Sequence, residues 1–341
     1  WFGNNISMKD AADMWIHEGF ANYTENLFVE YHFGKKDAED YVVGKNVAIT
    51  GGARGIGRST AEALLRAGAQ VVIGDIDTAL VEETAAALTA RFGSTVLGLP
   101  LDVTDRGSFE QFLDLATIEL GGLDVVVNNA GIMPTGRFLD ESDAVSDRQI
   151  DINVRGVIIG CKLAAARFTE QGHGHIVNLG SIVGIEGAPG IAVYSATKHA
   201  VIGLGSVLRQ ELAGSGVTVS TIAPGFVRTE LIAGIKPNAL IQRVAMVGPE
   251  DVAQAITAVI GSGRPGLRYV PRTAGAILAV LRLMPEAARH RISGAFGLQS
   301  VVLESDENAR AAYRNRTEST PAVSPVADSP VIESETQRPE R

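Results

Sequence analysis

The sequence predicts an α/β fold built on a doubly wound parallel sheet, and three observations carry that expectation. From Lys45 to about Pro271, short apolar segments alternate with segments of helical period. The short segments are apolar throughout, as strands are when helices cover both faces of a parallel sheet. A glycine cluster, Gly51, Gly52, Gly55 and Gly57, lies directly between the first strand-like segment and the first helical one.

In order, Val47–Thr50 reads as a buried strand, followed by a helix over Ile56–Ala67. Gln70–Gly74 is the second strand and Leu80–Arg91 the next helix. Thr95–Leu99, Leu123–Val127, His175–Leu179 and Val217–Ile222 supply further strands. Helices over Ser108–Glu119, Arg148–Phe168 and Ala196–Ala213 separate them. Pro249, Glu250 and Asp251 suit a first helical turn and open a helix over Val252–Ile260, and Leu267–Val270 is the last strand. Outside this core the texture changes. Residues 1–43 hold both tryptophans and three of the six tyrosines, with a helix expected to start near Ser7 or Lys9. Residues 272–316 read as a helical extension. Residues 317–341, rich in Ser, Thr, Pro and Glu, read as a disordered tail. The chain opens at Trp1 and its first methionine is Met8, which reads as processing, fragmentation or an incomplete gene product.

Composition excludes several classes. Of the 341 residues, 45% are hydrophobic and 38 are glycine, suiting a glycine-punctuated sheet with a full core. A net charge of −9 argues against nucleic acid, which needs a basic face. A single cysteine, Cys161, precludes an internal disulfide and fits a reducing compartment. The best candidate for a membrane span, Ala274–Met284, is too short and is interrupted by Arg282. With no secretory signal at the start, the expectation is a soluble cytoplasmic protein.

The segment Thr50-Gly51-Gly52-Ala53-Arg54-Gly55-Ile56-Gly57 has the composition of a nucleotide loop. Gly51 permits a tight turn, and Gly55 and Gly57 let the backbone approach a pyrophosphate at a helix N-terminus. Asp75 ends the second strand 24 residues after Gly51, close to the ~20 expected of a ribose-binding carboxylate. The spacing TGxxxGxG resembles that of the short-chain dehydrogenase/reductase family, whose fold is Rossmann-type, and the resemblance runs on for more than 200 residues. Asp102 and Val103 are similar to its adenine-contacting segment. Asn128-Asn129-Ala130-Gly131 resembles its NNAG motif, and Pro224-Gly225 its nicotinamide-facing turn, with Thr229 placed for the carboxamide. The cofactor implied is NAD. Asp75 would repel a 2′-phosphate by about 4 kcal/mol at ~4 Å and an effective dielectric near 20. Arg54 offers a partial offset, so NADP is the alternative.

Tyr194 and Lys198 stand four residues apart, on one face of a helix. With Ser181 after a predicted strand and Asn153 in an earlier helix, they resemble the family's Asn-Ser-Tyr-Lys tetrad. A free tyrosine is only ~0.1% phenolate at neutral pH. Work as a base there requires its pKa to fall by about 2–3 units, which one ammonium at ~4–5 Å would supply. The resemblance implies that Lys198 also holds the nicotinamide ribose, Ser181 the substrate oxygen, and Asn153 a water in the proton path. No metal is required. His173 and His175 read as a surface turn, His199 as helix surface or interface, and Cys161 as packing.

Substrate segments are apolar: Ile132, Met133 and Pro134; Ile182, Val183 and Ile185; Leu231, Ile232, Ile235 and Leu240. Only Glu186 and Lys236 add charge, so a small hydrophobic alcohol or its carbonyl is the expected substrate. Arg264, Arg268, Arg272, Arg282, Arg289 and Arg291 mark 264–291 either as a peripheral membrane contact or as cover for the pocket or a neighbouring subunit. A homo-oligomer is expected, with a dimer through the Asn153 and Lys198 helices favoured over the family's tetramer. A non-catalytic NAD sensor is the alternative function.

Trp1-Phe2-Gly3-Asn4-Asn5 and Ala12-Asp13-Met14-Trp15-Ile16-His17-Glu18-Gly19-Phe20 resemble segments of gluzincin-type zinc aminopeptidases, so residues 1–43 read as a fragment of one. Glu18 matches its third zinc ligand, but no HExxH motif precedes it. One carboxylate does not hold catalytic zinc, so peptidase activity is not expected. Removal of residues 1–42 is expected to leave turnover and NAD affinity unchanged.

Overall fold

The computed structural model describes residues 42–295, 297, 301–303 and 305–319. Seven parallel strands form the central sheet: β1 (Asn46–Thr50), β2 (Gln70–Asp75), β3 (Leu97–Pro100), β4 (Val125–Asn128), β5 (Gly174–Leu179), β6 (Val217–Pro224) and β9 (Gly266–Val270). Their spatial order is β3-β2-β1-β4-β5-β6-β9, and β7 (Phe226–Val227) pairs with β8 (Met246–Val247) in a separate ribbon. Val47 sits between Val71 and Val125, and Ile49 between Ile73 and Val127. The chain winds outward from β1 on one side and from β4 on the other. The strand order therefore reverses between these two, and a crevice opens at their carboxyl ends.

The register explains why the strands are apolar without alternation. Val47, Ile49, Val71, Ile73, Val125 and Val127 face one core, closed by α1 (Gly55–Arg66), α2 (Thr78–Phe92) and α8 (Pro249–Ser262). Ala48, Val72, Val126, Ile176 and Val219 face the other, closed by α3 (Arg106–Leu120), α5 (Val157–Gln171) and α6 (Ala192–Glu211). Successive residues point to opposite faces, so two buried faces require apolar residues at every position. A third cluster, Met133, Val183, Ile191, Tyr194, Ile235, Ile241, Val301 and Val302, gathers away from both of these cores.

Several expectations change. The helix expected over Arg148–Phe168 is three pieces: α4 (Asp143–Ile150), a π-helical turn over Asp151–Gly156, and α5. Two glycines press it against the sheet side. A Cβ on Gly160 would lie 2.2 Å from Asn128 Oδ1, and one on Gly156 2.9 Å from Val103 Cγ2. α6 begins at Ala192, four residues before the expected Ala196, so Tyr194 lies inside the helix. Of the two histidines read as a surface turn, only His173 is exposed. His175 is buried in β5 against Ser220 Oγ (2.9 Å), and burial lowers its pKa to about 4. Val42 is fully buried in the first core, so the folded unit includes a residue assigned above to the N-terminal extension, and the removal of residues 1–42 expected to be harmless would delete it. The zinc-aminopeptidase-like stretch with Glu18 lies outside the described residues.

The Arg-rich stretch 264–291 spans three elements. It divides into β9, with Arg268 half-buried, α9 (Arg272–Arg282) and α10 (Glu286–Ala295), where Arg289 pairs with Glu186 at 3.5 Å. α7 (Ala239–Ala245) lies between the two ribbon strands. α11 (Glu307–Ser319) continues past the expected boundary at 316. Among the described residues no helix is long and apolar enough to cross a membrane.

Candidate active site

A cleft of about 960 Å³ runs along the carboxyl ends of the strands. At one end the chain turns from β1 into α1 with Gly51 at φ 66° and Gly55 at φ 54°, both in the left-handed region that only glycine enters without strain. A Cβ on Gly57 would lie 2.1 Å from the Gly51 carbonyl oxygen, and one on Gly51 2.9 Å from Ala130 Cα. The turn is thus as tight as backbone allows, leaving the α1 N-terminus bare for a phosphate group. Gly51, Arg54, Gly55 and Ile56 line the cleft, whereas Thr50 and Gly57 stand behind it. Thr50 Oγ1 accepts from the backbone N–H of Asn129 and of Ala130 (both 3.0 Å). Asn129 Nδ2 donates to the carbonyls of Thr50 (2.8 Å) and Gly51 (3.0 Å). Thr50 therefore acts as scaffold, clamping the ends of β1 and β4 together through Asn129.

Asp75, at the end of β2, accepts from the N–H of Ala53 and of Asp77, each at 3.2 Å. Burial raises its pKa, against the pull of those two N–H groups and of Arg54. Each carboxylate oxygen keeps a second lone pair for a ribose hydroxyl. Arg54, the offset considered for a 2′-phosphate, is engaged by Asp77 and lies 3.7 Å from Glu230. Asp77 was not singled out in the sequence. It caps α2, accepting from Leu80 N at 3.2 Å, and it also lines the cleft. Asp102, Val103, Ala130, Gly131, Pro224, Gly225 and Thr229 line the same space. Asp102 accepts from Thr104 N (2.9 Å) and Thr104 Oγ1 (2.7 Å), which fixes the turn after β3. Gly225 is required, since a Cβ there would meet the Ala245 carbonyl oxygen at 2.2 Å.

At the middle of the cleft α6 presents Tyr194 and Lys198, and the β5 end presents Ser181. Lys198 Nζ donates to the Leu179 carbonyl (2.8 Å) and lies 5.6 Å from the centre of the Tyr194 ring. Ser181 Oγ accepts from Val183 N (3.3 Å), donates to the Pro224 carbonyl (3.4 Å) and acts to lower the pKa of the Tyr194 phenol. Asn153 does not line the cleft. From the π-helical turn, its amide donates to Ile132 O (2.9 Å) and Thr197 Oγ1 (3.2 Å) and accepts from Ile132 N (2.9 Å). Its side chain pins the loop after β4 to α6.

The expected electrostatics are reversed in the chain by itself. Burial pushes the Tyr194 phenol well above its ordinary value, with the Tyr313 hydroxyl adding to the rise and the Ser181 hydrogen bond opposing it. Burial also lowers Lys198 to about 8. Desolvation disfavours the charged form of each group, and it is the largest cause of both shifts. The protonated phenol is a proton donor at neutral pH.

The far wall is apolar: Met133, Ile182, Val183, Ile191, Phe226, Leu231 and Ile232. Ile235 is buried behind it and Lys236 is exposed. Tyr313, Arg316 and Thr317 of α11 complete the lining. None of the three was singled out in the sequence. Arg316 pairs with Glu230, and Arg310, buried behind Tyr313, donates to the carbonyls of Leu231 (3.0 Å), Ala233 (2.9 Å) and Met133 (2.8 Å). Cys161 is packed in the core, where burial raises its thiol to about 12. Among the described residues no group of three His, Cys, Asp or Glu side chains is placed to hold a metal ion.

A family model described as short chain dehydrogenase matches residues 45–239. A probable oxidoreductase, EphD, of Mycobacterium tuberculosis is 36% identical over 260 residues, 71% of this chain and 44% of that protein. The chain thus spans less than half the length of the first curated relatives it matches. A 3-alpha-(or 20-beta)-hydroxysteroid dehydrogenase of the same organism is 37% identical over 190 residues, covering 56% of this chain and 72% of the relative. Among solved structures, a 3-ketoacyl-(acyl-carrier-protein) reductase of Brucella melitensis, complexed with NADH, superposes with a TM-score of 0.63. It is 27% identical, covering 68% of this chain and 99% of the other.

Proposed function

Because the chain belongs to the short-chain dehydrogenase family, we propose that it is an NAD-dependent oxidoreductase interconverting a hydrophobic alcohol and its ketone or aldehyde. The observation that carries this reading is the convergence of Tyr194, Ser181 and Lys198 in one cleft, between a glycine cradle and an apolar wall. The cradle fits a dinucleotide, since Cβ atoms at Gly51 or Gly57 would collide with backbone on the loop's inner side. When bound, NADH supplies the hydride to the carbonyl carbon. The Tyr194 hydroxyl supplies the proton to the carbonyl oxygen, and the Ser181 hydroxyl shares that oxygen's developing charge. Lys198, held by Leu179, is placed to bind the nicotinamide ribose and to lend positive charge as Tyr194 loses its proton. The apolar wall excludes water and takes the body of the substrate. The test is a screen of hydrophobic ketones with NADH, read by the loss of NADH absorbance. No turnover with any of them would sink the reading.

Asp75 and the engaged Arg54 support NAD over NADP. Asp75→Ala is expected to narrow or reverse the ratio of kcat/KM for the two cofactors, by tenfold or more if the ~4 kcal/mol repulsion is even partly realised. An unsubstituted protein that already prefers NADP would overturn the assignment.

The dimer is proposed through α4, the π-helical turn and α6. These helices flank an apolar depression lined by the exposed Phe138 and by Ile150, Val154, Ala192, Val193 and Ala196, next in sequence to the exposed Leu139. A second copy of the same face is complementary in kind. Sedimentation equilibrium should give twice the chain mass, falling to one chain with Ile150→Arg. An unchanged mass would exclude this face.

A further inference from the structure

We propose that Tyr313 is a substrate-binding residue, and that it selects substrates carrying a second oxygen away from the reacting carbon. The inference rests on the oxidoreductase reading and extends it to substrate class. It starts from one hydroxyl. Tyr313 is buried and lines the same cleft as Tyr194. Its oxygen accepts from Met133 N at 2.8 Å, and its own hydrogen goes to no acceptor among the described residues. A buried hydroxyl left in that state is costly unless something else takes the proton. Tyr313 and Tyr194 feel each other electrostatically but share no hydrogen bond, so the catalytic phenol is not the missing acceptor. Burial holds Tyr313 near 12, so it is a donor at any working pH.

The position is built rather than incidental. Arg310, one turn earlier on α11, grips carbonyls from both sides of the cleft: Met133 in the loop after β4, and Leu231 and Ala233 after β7. Its guanidinium also lies 5.1 Å from the centre of the Tyr313 ring. Asp306 N donates to Gly234 O at 2.9 Å at the start of the same helix. Val301 and Val302 pack into the cluster that contains Tyr194. The facing wall is apolar, and of the polar neighbours on α11 Arg316 is paired with Glu230 while the Thr317 hydroxyl donates to the Tyr313 carbonyl. Tyr313 thus presents a fixed donor to an apolar surface, the arrangement that orients a largely apolar ligand by a few polar groups. Val301, Val302, Asp306, Arg310 and Tyr313 lie beyond 239, outside the segment that the family model matches. The general dehydrogenase site and this donor therefore come from different parts of the chain.

The experiment uses matched pairs of rigid ketones of increasing length, each with and without a second carbonyl: cyclohexanone with cyclohexane-1,4-dione, a decalinone with a decalindione, and a steroid mono-ketone with a steroid diketone. Binding to the protein–NADH complex is titrated by quenching of NADH fluorescence, and kcat/KM is measured in parallel. For the pair whose spacing fits, the unsubstituted protein should favour the two-oxygen member about tenfold or more, after correction for its two reactive carbonyls. Tyr313→Phe should bring that ratio close to one, mainly through KM. The preference of the unsubstituted protein is a test by itself, whatever the variant's stability. No preference in any pair, or a Tyr313→Phe variant that weakens both members equally, would make Tyr313 a packing residue and overturn the proposal. A protein that binds the two-oxygen ligand tightly through Tyr313 yet reduces no ketone would overturn the oxidoreductase reading and leave the Tyr313 assignment standing.

Discussion

Tyr194→Phe is expected to lower turnover by about 10³-fold, the share that a positioned general acid contributes. NADH binding should change little, because the ring stays in its cluster and only the hydroxyl is lost. The pH dependence separates the two reaction directions. Burial raises the Tyr194 pKa, so the phenol remains protonated and reduction keeps its proton donor through neutral and mildly alkaline pH. Oxidation needs the phenolate, so its rate should climb with pH across the same range. Lys198 acts oppositely. With its pKa near 8 it is charged below that pH and loses charge above it, which weakens both its help to a phenolate and its hold on the ribose. The oxidation profile should therefore rise less steeply above pH ~8 than below it. Steady-state profiles in both directions check this. More than a few per cent of activity in the Phe variant would show that another group moves the proton.

Arg310→Met is expected to cost about 3 kcal/mol of stability, because one substitution leaves three carbonyls without their donor. The damage should be local before it is global. α11 is held by Arg310, by the Met133–Tyr313 hydrogen bond and by the Arg316–Glu230 pair, so loosening it exposes Met133, Val183 and Ile191 and opens the cleft to water. Amide exchange across 305–319 should speed up far more than in β1 or β4, and kcat/KM should fall by tenfold or more through loss of the closed wall. Uniform protection in the variant would show that α11 is not held by this side chain.

Much of the fold was legible in the sequence because its signals are local. Uniformly apolar strands, the glycine turn and the first helical turn at Pro249, Glu250 and Asp251 each act within a few positions, so all seven strands of the main sheet were found with only small shifts in their ends. The helix that holds Cys161 was misjudged at its start because residues 143–147 have no apolar stripe. The π-helical turn at Asn153 left no trace in the sequence pattern. His175 was misread because a polar residue beside glycines suggests a turn, whereas Ser220 on the neighbouring strand satisfies it inside the sheet.

By itself, the sequence determined the parallel α/β architecture, the cradle from Gly51 to Gly57, the acid at Asp75 and the pairing of Tyr194 with Lys198. All of these depend on spacing along one strand, turn or helix. The tertiary structure decided what spacing does not encode. It decided that Asp77 and Glu230 engage Arg54, that Asn153 serves as a pin, and that burial raises the Tyr194 pKa. It also decided that α11 returns across more than 170 residues of sequence to set Tyr313 on Met133. The physical reason is the same throughout: desolvation and long-range hydrogen bonding depend on which surfaces meet, and that is fixed only when the chain has closed on itself.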